Sequence, residues 1–362
     1  MLRTTNKPVW LKLCVLLALC VPVSGCYYLQ AATGQWRVMQ QREPISDVIG
    51  NEDTPEALRN RLRLVQAARQ FAVDELLLPD NDSYRSYADI EREFVVWNVF
   101  AAPEFSLQAK RWCFPVAGCV SYRGYFSREA AGKAARRLEE DGFDVYVGGV
   151  SAYSTLGNFS DPVLSSMMRW DDIRLVGVLF HELAHQVLYV KGDTGFNEAF
   201  ATAVEEQGIE RWLRSRGEQN DIATYEERRA LRRDMMALVA KARGDLRQSF
   251  ASKIDDAGKR RLKRARLQQL GLDVTALLAR TGRKADGWRG DELNNARLAS
   301  MTLYEARLPA FRALLANCNN DMRCFYDRAT ALSRKDRAAR DAALDELAGS
   351  QPGVVVSGLD EP

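Results

Sequence analysis

The sequence predicts an α+β fold that is mostly helical, in which a small N-terminal sheet is followed by two site-bearing helices and a C-terminal helical region. Residues 90–160 are expected to be rich in strands, and residues 92–101 within them are rich in Phe, Val and Trp, which favours a buried strand. From Asp171 onward, apolar residues recur at the spacing of amphipathic helices almost to residue 347. A chain of 362 residues is long enough to bury a large core around these elements.

The first 25 residues have the pattern of a secretory signal peptide. Basic residues precede an apolar run, Leu13 to Leu19, and small residues come just before Cys26. The run is shorter than the roughly 20 apolar residues of a membrane span. An uncleaved anchor or a plain secretory signal is the alternative to lipid attachment.

The three basic residues of this segment account for the formal net charge of +3. The remainder is therefore neutral, and its net charge predicts no nucleic-acid partner.

The segment Val23-Ser24-Gly25-Cys26 resembles the lipobox of bacterial lipoproteins, in which the cysteine is lipidated and becomes the first residue of the mature protein. The resemblance implies membrane attachment through a lipid on Cys26. Tyr27 stands where an aspartate would indicate retention in the inner membrane. The resemblance therefore implies the periplasmic face of the outer membrane.

The predicted elements follow one another without an internal repeat. Thr54-Pro55-Glu56 has the pattern of a helix start, and this helix is expected to run to Leu78. The expected strands cover 92–101, 121–126 and 144–153, with a helix over 128–141. Helices are expected from Asp171 or Asp172 to about Val190, where Gly192 stops the first, from about Phe196 to Arg214, and through 220–347. The expected organisation is a signal peptide over 1–25, a lipidated tether and first helix over 26–53, a main domain over 54–350 with its site-bearing helices at 171–215, and a flexible tail over 351–362.

Four of the seven cysteines remain once the signal-peptide residues and Cys26 are set aside. They form two pairs, each with five residues between: Cys113 and Cys119, and Cys318 and Cys324. In an oxidising compartment this spacing suits two local disulfides, although three connectivities are possible. Zinc binding by the four thiols is the alternative, but the CxxC spacing of structural zinc sites is absent.

His181 and His185 are the only histidines of the chain. Because they are four residues apart, their rings project from one face of a helix and can bind one metal ion. Glu182 is turned about 100° around the helix and can reach a water molecule without binding the ion itself. Apolar neighbours would make these polar groups costly to bury in a purely structural role. The spacing predicts a zinc site with Glu182 as the general base.

A third protein ligand is expected, because two histidines leave zinc short of its usual three. Glu198 is the best candidate, since it lies near the start of the next predicted helix. Only 12 residues separate it from His185, so the turn between the helices must be short. Glu205 and Glu206 lie two turns further along the helix and are the alternatives.

The HExxH motif followed by Asn197-Glu198-Ala199-Phe200-Ala201 resembles the gluzincin branch of the zincin metallopeptidases. The resemblance implies zincin-type active-site helices, one Zn²⁺ per chain and metal ligation by His181, His185 and Glu198. Thr202 stands where thermolysin-like enzymes carry an aspartate that supports a ligand histidine. Asp193 is therefore considered as a substitute for that aspartate. In zincins an edge strand of the sheet pairs with the backbone of the substrate, and residues 147–153 are placed to form that strand. The GxMEN segment of familiar aminopeptidases is absent, so the choice between aminopeptidase and endopeptidase stays open.

The wider chain resembles a family of Gram-negative lipoproteins described as predicted aminopeptidases. The segments that carry this resemblance are Val96 to Phe100, Trp112 to Pro115, Tyr122 to Phe126, Ala152 to Gly157 and Phe180 to Gln186. The resemblance implies a lipid-anchored zinc metallopeptidase that acts on peptides or proteins. The alternatives are a catalytically weak zincin-like lipoprotein for binding or assembly in the cell envelope, and zinc-dependent hydrolysis of another amide, such as a cell-wall peptide.

Overall fold

The computed structural model describes residues 22–114, 118–157, 159–302 and 307–349, with side chains from residue 27 onward except that of Thr302. Almost all of the predicted signal peptide, the side chain of Cys26 and the predicted tail lie outside the described residues. Within the described ranges, no helix combines the length and the apolar character needed to cross a membrane.

The prediction of a mostly helical α+β fold is confirmed. The helices are α1 Pro22–Gln40, α2 Ile45–Gly50, α3 Glu56–Asp74, α4 Arg128–Glu140, α5 Asp172–Val187, α6 Thr194–Ser215, α7 Gln219–Ala251, α8 Asp256–Ala279, α9 Asn295–Thr302, α10 Leu308–Ala316, α11 Met322–Ser333 and α12 Arg337–Gly349. The strands are β1 Arg42–Pro44, β2 Ser86–Ala88, β3 Val96–Pro103, β4 Trp112–Phe114, β5 Gly118–Val120, β6 Arg123–Tyr125, β7 Phe143–Val150 and β8 Val163–Leu164.

The largest strand pairing joins β3 and β7. This antiparallel pair runs in register from Val96 opposite Val150 to Pro103 opposite Phe143. The sheet has the order β6-β3-β7, so β7 lies at its edge. The three predicted strands correspond to β3, β6 and β7 with shifted ends. A second small sheet has the order β1-β2-β8, and β4 and β5 form a two-stranded hairpin.

Both faces of the central strand β3 are covered by helices. Val99 packs in a cluster with Ala131 of α4, whereas Phe100 packs in a cluster with Ala296 of α9. Successive side chains of a strand point to opposite faces, so neighbouring residues of β3 meet different helices. This double burial explains the nearly continuous apolar run that predicted the strand.

An aromatic cluster holds α6 against the C-terminal helices. Phe196 and Phe200 of α6 are fully buried, and their ring centroids lie 5.0 Å and 6.0 Å from that of Phe311 in α10. Phe200 also stacks on Phe325 of α11 at 5.6 Å. Since each residue turns the helix by about 100°, Phe196 and Phe200 each lie about 160° from Glu198. Their burial therefore turns Glu198 towards α5, which packs against the other side of α6.

Two predicted helix ends lie too far along the chain. The helix expected to reach Leu78 ends at Asp74, and Leu77 then adopts a positive φ of 55°, which a helix does not allow. The helix expected to reach Val190 ends at Val187, because Leu188 is already extended. The backbone N–H of Val190 instead donates to the side chain of Asn197 at 2.7 Å.

The prediction of two local disulfides is confirmed. Cys113 is bonded to Cys119 across the β4-β5 hairpin, and Cys318 is bonded to Cys324 at the start of α11. The four sulfurs are paired with one another, so the alternative of a four-cysteine zinc site is wrong.

Candidate active site

Helix α5 presents both histidines on one face. Its N-terminus is capped by Asp171, whose carboxylate accepts a hydrogen bond from the backbone N–H of Arg174 at 3.0 Å. One turn separates His181 from His185, and their ring centroids are 4.9 Å apart with an interplanar angle of 84°. The apolar residues around them, including Leu179, Phe180 and Leu183, are fully buried. The helix therefore holds the two rings side by side in a nearly dry setting.

A tight turn brings Glu198 back to these rings. Asn197 is 2% exposed and holds the turn by accepting from the N–H of Val190 and donating to its carbonyl at 2.9 Å. Gly192 has a φ of +79°, a conformation that glycine adopts without steric cost. Asp193 caps α6 by accepting from the backbone N–H of Phe196 at 3.1 Å. These contacts account for the short connection that the spacing predicted.

Asp193 does not support a histidine, so its predicted role as a substitute for the aspartate of thermolysin-like enzymes is wrong. Its carboxylate instead accepts hydrogen bonds from Nε and Nη2 of Arg340 at 3.0 Å and 2.8 Å. Both side chains are buried, at 7% and 6% exposure. This ion pair ties the last helix, α12, to the N-terminus of the helix that carries Glu198.

The disulfide hairpin packs on the same turn. Nη2 of Arg111 donates to the carbonyl oxygens of Cys119 and Gly192, each at 3.2 Å. The hairpin β4-β5 is thus linked to the connection between the two site-bearing helices.

The predicted ligands converge on a small volume. Nε2 of His181 lies 3.3 Å and Nε2 of His185 lies 3.9 Å from Oε2 of Glu198. One donor atom from each residue lies within 4.8 Å of both others. Zinc bonds of about 2.0–2.2 Å in a tetrahedral site place neighbouring donor atoms roughly 3.3–3.6 Å apart. The 3.3 Å separation lies in this range and the 3.9 Å separation slightly exceeds it, and two imidazole nitrogens with a carboxylate oxygen are donors that suit a zinc ion.

Glu205 contacts the other nitrogen of the first histidine. Its Oε2 lies 3.1 Å from Nδ1 of His181, on the side of the ring away from Glu198. The expectation that Glu205 competes as a metal ligand is therefore wrong, because it takes the position of a supporting carboxylate. Glu206, the other alternative, is paired with Arg229 and Arg312 at 2.9 Å and 2.7 Å. Glu198 and Glu205 are seven residues apart, so they share one face of α6.

These contacts define which atoms of His181 face the ligand cluster. If Nδ1–H donates to Glu205, Nε2 presents its lone pair to the Glu198 carboxylate. Burial opposes a charge on His181, but hydrogen bonds to Glu198 and Glu205 outweigh it and raise the pKa of His181 well above its ordinary value. Burial lowers the pKa of His185 to about 4. The Nε2 atoms of the two histidines and Oε2 of Glu198 are thus three acceptor atoms that converge on one place, and they favour a cation there, either a proton or a metal ion.

Glu182 stands beside this cluster. Burial raises its pKa to about 7, and the negative charges of Glu198, Asp161 and Glu205 add to the shift, which a charge on His181 opposes. A divalent cation on the ligands would lower this pKa, because it favours the carboxylate. A partly buried carboxylate whose pKa lies near 7 suits proton transfer.

Two residues near Glu182 were not predicted from the sequence. Asp161 is 1% exposed, and its Oδ2 accepts from the N–H and the hydroxyl of Thr155 at 2.7 Å and 3.0 Å. Burial raises the pKa of Asp161 to about 6. Tyr84 is also 1% exposed, and burial together with the charges of Glu182 and Asp161 raises its pKa well above the ordinary value. Both residues belong to loops, where no periodic pattern marks them.

An aromatic path connects the edge strand with the ligands. The ring of Tyr146 on β7 lies 6.1 Å from that of Phe100, which lies 5.6 Å from the ring of Tyr122. Burial raises the pKa of Tyr122, and the charges of Glu198 and Glu182 contribute to the increase. The segment expected to pair with a substrate is shorter than predicted, since β7 ends at Val150 and the hydroxyl of Tyr153 donates to Gln35.

Comparison with known proteins gives a family. A family model described as "Putative aminopeptidase" matches residues 26–344 and so spans both site-bearing helices and all four disulfide cysteines. The chain belongs to this family. Neither the curated proteins nor the solved structures gave a match. The family description supports a peptidase whose substrates are peptides.

Proposed function

We propose that this member of the aminopeptidase family is a zinc-dependent metallopeptidase. It holds one Zn²⁺ per chain and is anchored through a lipid on Cys26 at the periplasmic face of the outer membrane. The observation that carries the catalytic part is the convergence of the two histidine Nε2 atoms and the Glu198 carboxylate beside the partly buried Glu182. The anchor follows from the lipobox resemblance at Val23 to Cys26.

Each residue of the site has a chemical role in this proposal. His181, His185 and Glu198 hold the metal, and Glu205 orients His181 through Nδ1. A zinc ion held there would supply a Lewis acid and lower the pKa of a bound water towards 7. Glu182 accepts the proton of the attacking water and later donates it to the leaving amine.

Substrate binding is proposed at the edge of the three-stranded sheet. Among the described residues, the outer edge of β7 pairs with no other strand. The carbonyl oxygen of Val145 accepts a hydrogen bond from the side chain of Asn294 at 2.8 Å, which leaves the backbone groups of residues 147–150 to pair with an extended peptide. The rings of Tyr146, Phe100 and Tyr122 are in contact from this strand inward, and the charges of Glu198 and Glu182 contribute to the raised pKa of Tyr122.

The proposal is tested by measuring metal content and peptide cleavage on the same purified protein. We expect about one zinc per chain, loss of hydrolysis on chelation and recovery when zinc is returned. Mass spectrometry of a digested peptide library would separate cuts after the first residue from internal cuts. The variant Glu210→Gln is the matched control, because Glu210 lies on α6 but pairs with Arg214 of the same helix. A wild-type protein that binds no zinc, or binds zinc without cutting any peptide, would contradict the proposal.

Replacing Glu205 with glutamine should weaken zinc binding by about 10- to 100-fold, the usual effect of losing a carboxylate behind a ligand histidine. The amide is a weaker acceptor for the Nδ1–H of His181 and no longer adds negative charge behind the ring. A competition titration against a chromophoric chelator measures the change, with Glu210→Gln as the reference. Equal zinc affinity in both variants would rule out the supporting role of Glu205.

A further inference from the structure

One face of helix α1 is packed on the domain. Tyr27, directly after Cys26, lies against Phe114 and Tyr125 with ring centroids 5.5 Å and 5.7 Å away. The guanidinium of Arg123 lies 3.9 Å from the centroid of the Tyr27 ring. The side chain of Gln30 accepts from the backbone N–H of Phe126 at 3.1 Å. The start of α1 is therefore held by stacking, a cation-π contact and a hydrogen bond.

The same face continues to the end of the helix. A Cβ atom on Gly34 would lie 2.1 Å from the Phe126 ring, so only glycine allows this approach. Val38 is 1% exposed. Tyr27, Gln30, Gly34 and Val38 are spaced by three or four residues, which places them in one stripe. The helix is consequently fixed to the domain along most of its length.

The opposite face of α1 is apolar and exposed. Leu29 and Trp36 are 65% and 64% exposed, and Tyr28 is 46% exposed. Leu29 and Trp36 are seven residues apart and so lie on the same side of the helix. Three of the nine large apolar residues exposed in the described part of the chain thus belong to this one helix. A soluble surface gains nothing from a tryptophan and a leucine in these positions.

The charge of this segment suits a lipid surface. Residues 26–42 contain two basic residues, Arg37 and Arg42, and no acidic residue. Arg37 is exposed next to Trp36. A face with apolar and aromatic side chains, a cation and no carboxylate is suited to phospholipid headgroups.

We propose that the exposed face of α1 docks on the surface of a phospholipid bilayer. The helix directly follows the apolar run Leu13 to Leu19 and contains Cys26, so its beginning lies at the membrane whether that run is retained or replaced by lipid. At about 1.5 Å per residue, Leu29 lies about 4.5 Å and Trp36 about 15 Å from Cys26 along the axis. Both reach the headgroup region when α1 lies along the membrane surface, where tryptophan and tyrosine are favoured.

The docking helix determines how the domain faces the membrane. The other face of α1, which carries Tyr27 and Gln30, is packed on β6 and its surroundings. The domain therefore cannot rotate freely about the anchor. This inference uses the proposed membrane anchor but does not depend on zinc or on peptide hydrolysis.

Quenching of Trp36 fluorescence tests the docking. The full chain, purified with its anchor, is reconstituted in vesicles of phosphatidylethanolamine and phosphatidylglycerol, with or without phosphatidylcholine brominated near the headgroup end of its acyl chains. The emission of Trp36 is obtained as the difference between the wild type and Trp36→Phe, because the other tryptophans are the same in both proteins and cancel. We expect brominated lipid to reduce this difference emission at least twofold. The control is Leu272→Trp, because Leu272 on α8 is also 65% exposed, and its added emission should be unchanged.

Flotation of the same vesicles separates the possible failures. Protein that floats with the vesicles while the Trp36 emission is no more quenched than that of Leu272→Trp overturns the docking and leaves the anchor intact. The docking is also overturned if the Trp36 emission is blue-shifted without quenching, since another protein surface then covers the face. Protein that does not float overturns the anchor and the docking together, and zinc content is unaffected in every case.

Discussion

Replacing Glu182 with glutamine is expected to lower kcat/KM for peptide hydrolysis by about 10²- to 10⁴-fold, the range attributed to a general acid-base group. Glutamine keeps the size of the side chain but cannot accept a proton from water. Zinc content should stay at about one per chain, because Glu182 lies beside the ligands and is not one of them. Peptide cleavage and metal content are measured on the same preparation.

The control for this substitution is Glu210→Gln, which removes one carboxylate from α6 outside the site. Cleavage by the Glu182→Gln protein within threefold of the wild-type rate would show that another group takes the proton. Loss of zinc in that protein would place Glu182 among the ligands and contradict the proposed division of roles.

Replacing Arg340 with methionine is expected to lower the free energy of unfolding by about 3–5 kcal/mol, the usual cost of removing one partner of a buried ion pair. The substitution leaves the carboxylate of Asp193 buried at the N-terminus of α6 without its two charged hydrogen bonds. It also removes the donor to the carbonyl oxygen of Lys335, which lies 3.0 Å from Nη1. Urea denaturation of the metal-free protein measures the loss.

A double variant, Asp193→Asn with Arg340→Met, serves as the control. Asparagine keeps the helix cap but carries no charge, so most of the lost stability should return. A loss below about 1 kcal/mol in the single variant, well under the range for a buried pair, would show that water or rearrangement replaces the ion pair. Arg289→Ala is a further reference, because Arg289 is exposed and pairs only with Asp291 and Glu292 close by in the chain, so its loss should leave stability unchanged.

Much of the architecture follows from local patterns. The period of apolar residues predicted α4, α5 and α6, and the composition of 90–160 predicted β3, β6 and β7. Their ends moved because ends depend on contacts with other parts of the chain. Helix α5 stops at Val187. The side chain of Asn197, ten residues further on, accepts a hydrogen bond from the backbone N–H of Val190 and holds the chain in a turn. The short strands of the β1-β2-β8 sheet were not predicted, since two or three residues carry no recognisable period.

The sequence by itself determined that His181 and His185 share one face of a helix with Glu182 between them, because helical spacing is a local property. It also determined the two pairs of nearby cysteines. Only the tertiary structure decided that Glu205 supports His181 while Glu206 pairs with arginines, because neighbouring residues of one helix face different partners. Likewise, only packing assigned Asp193 to Arg340, 147 residues away, and brought Asp161 beside Glu182. Such contacts depend on how the helices and loops are buried against one another, and spacing along the chain does not encode that.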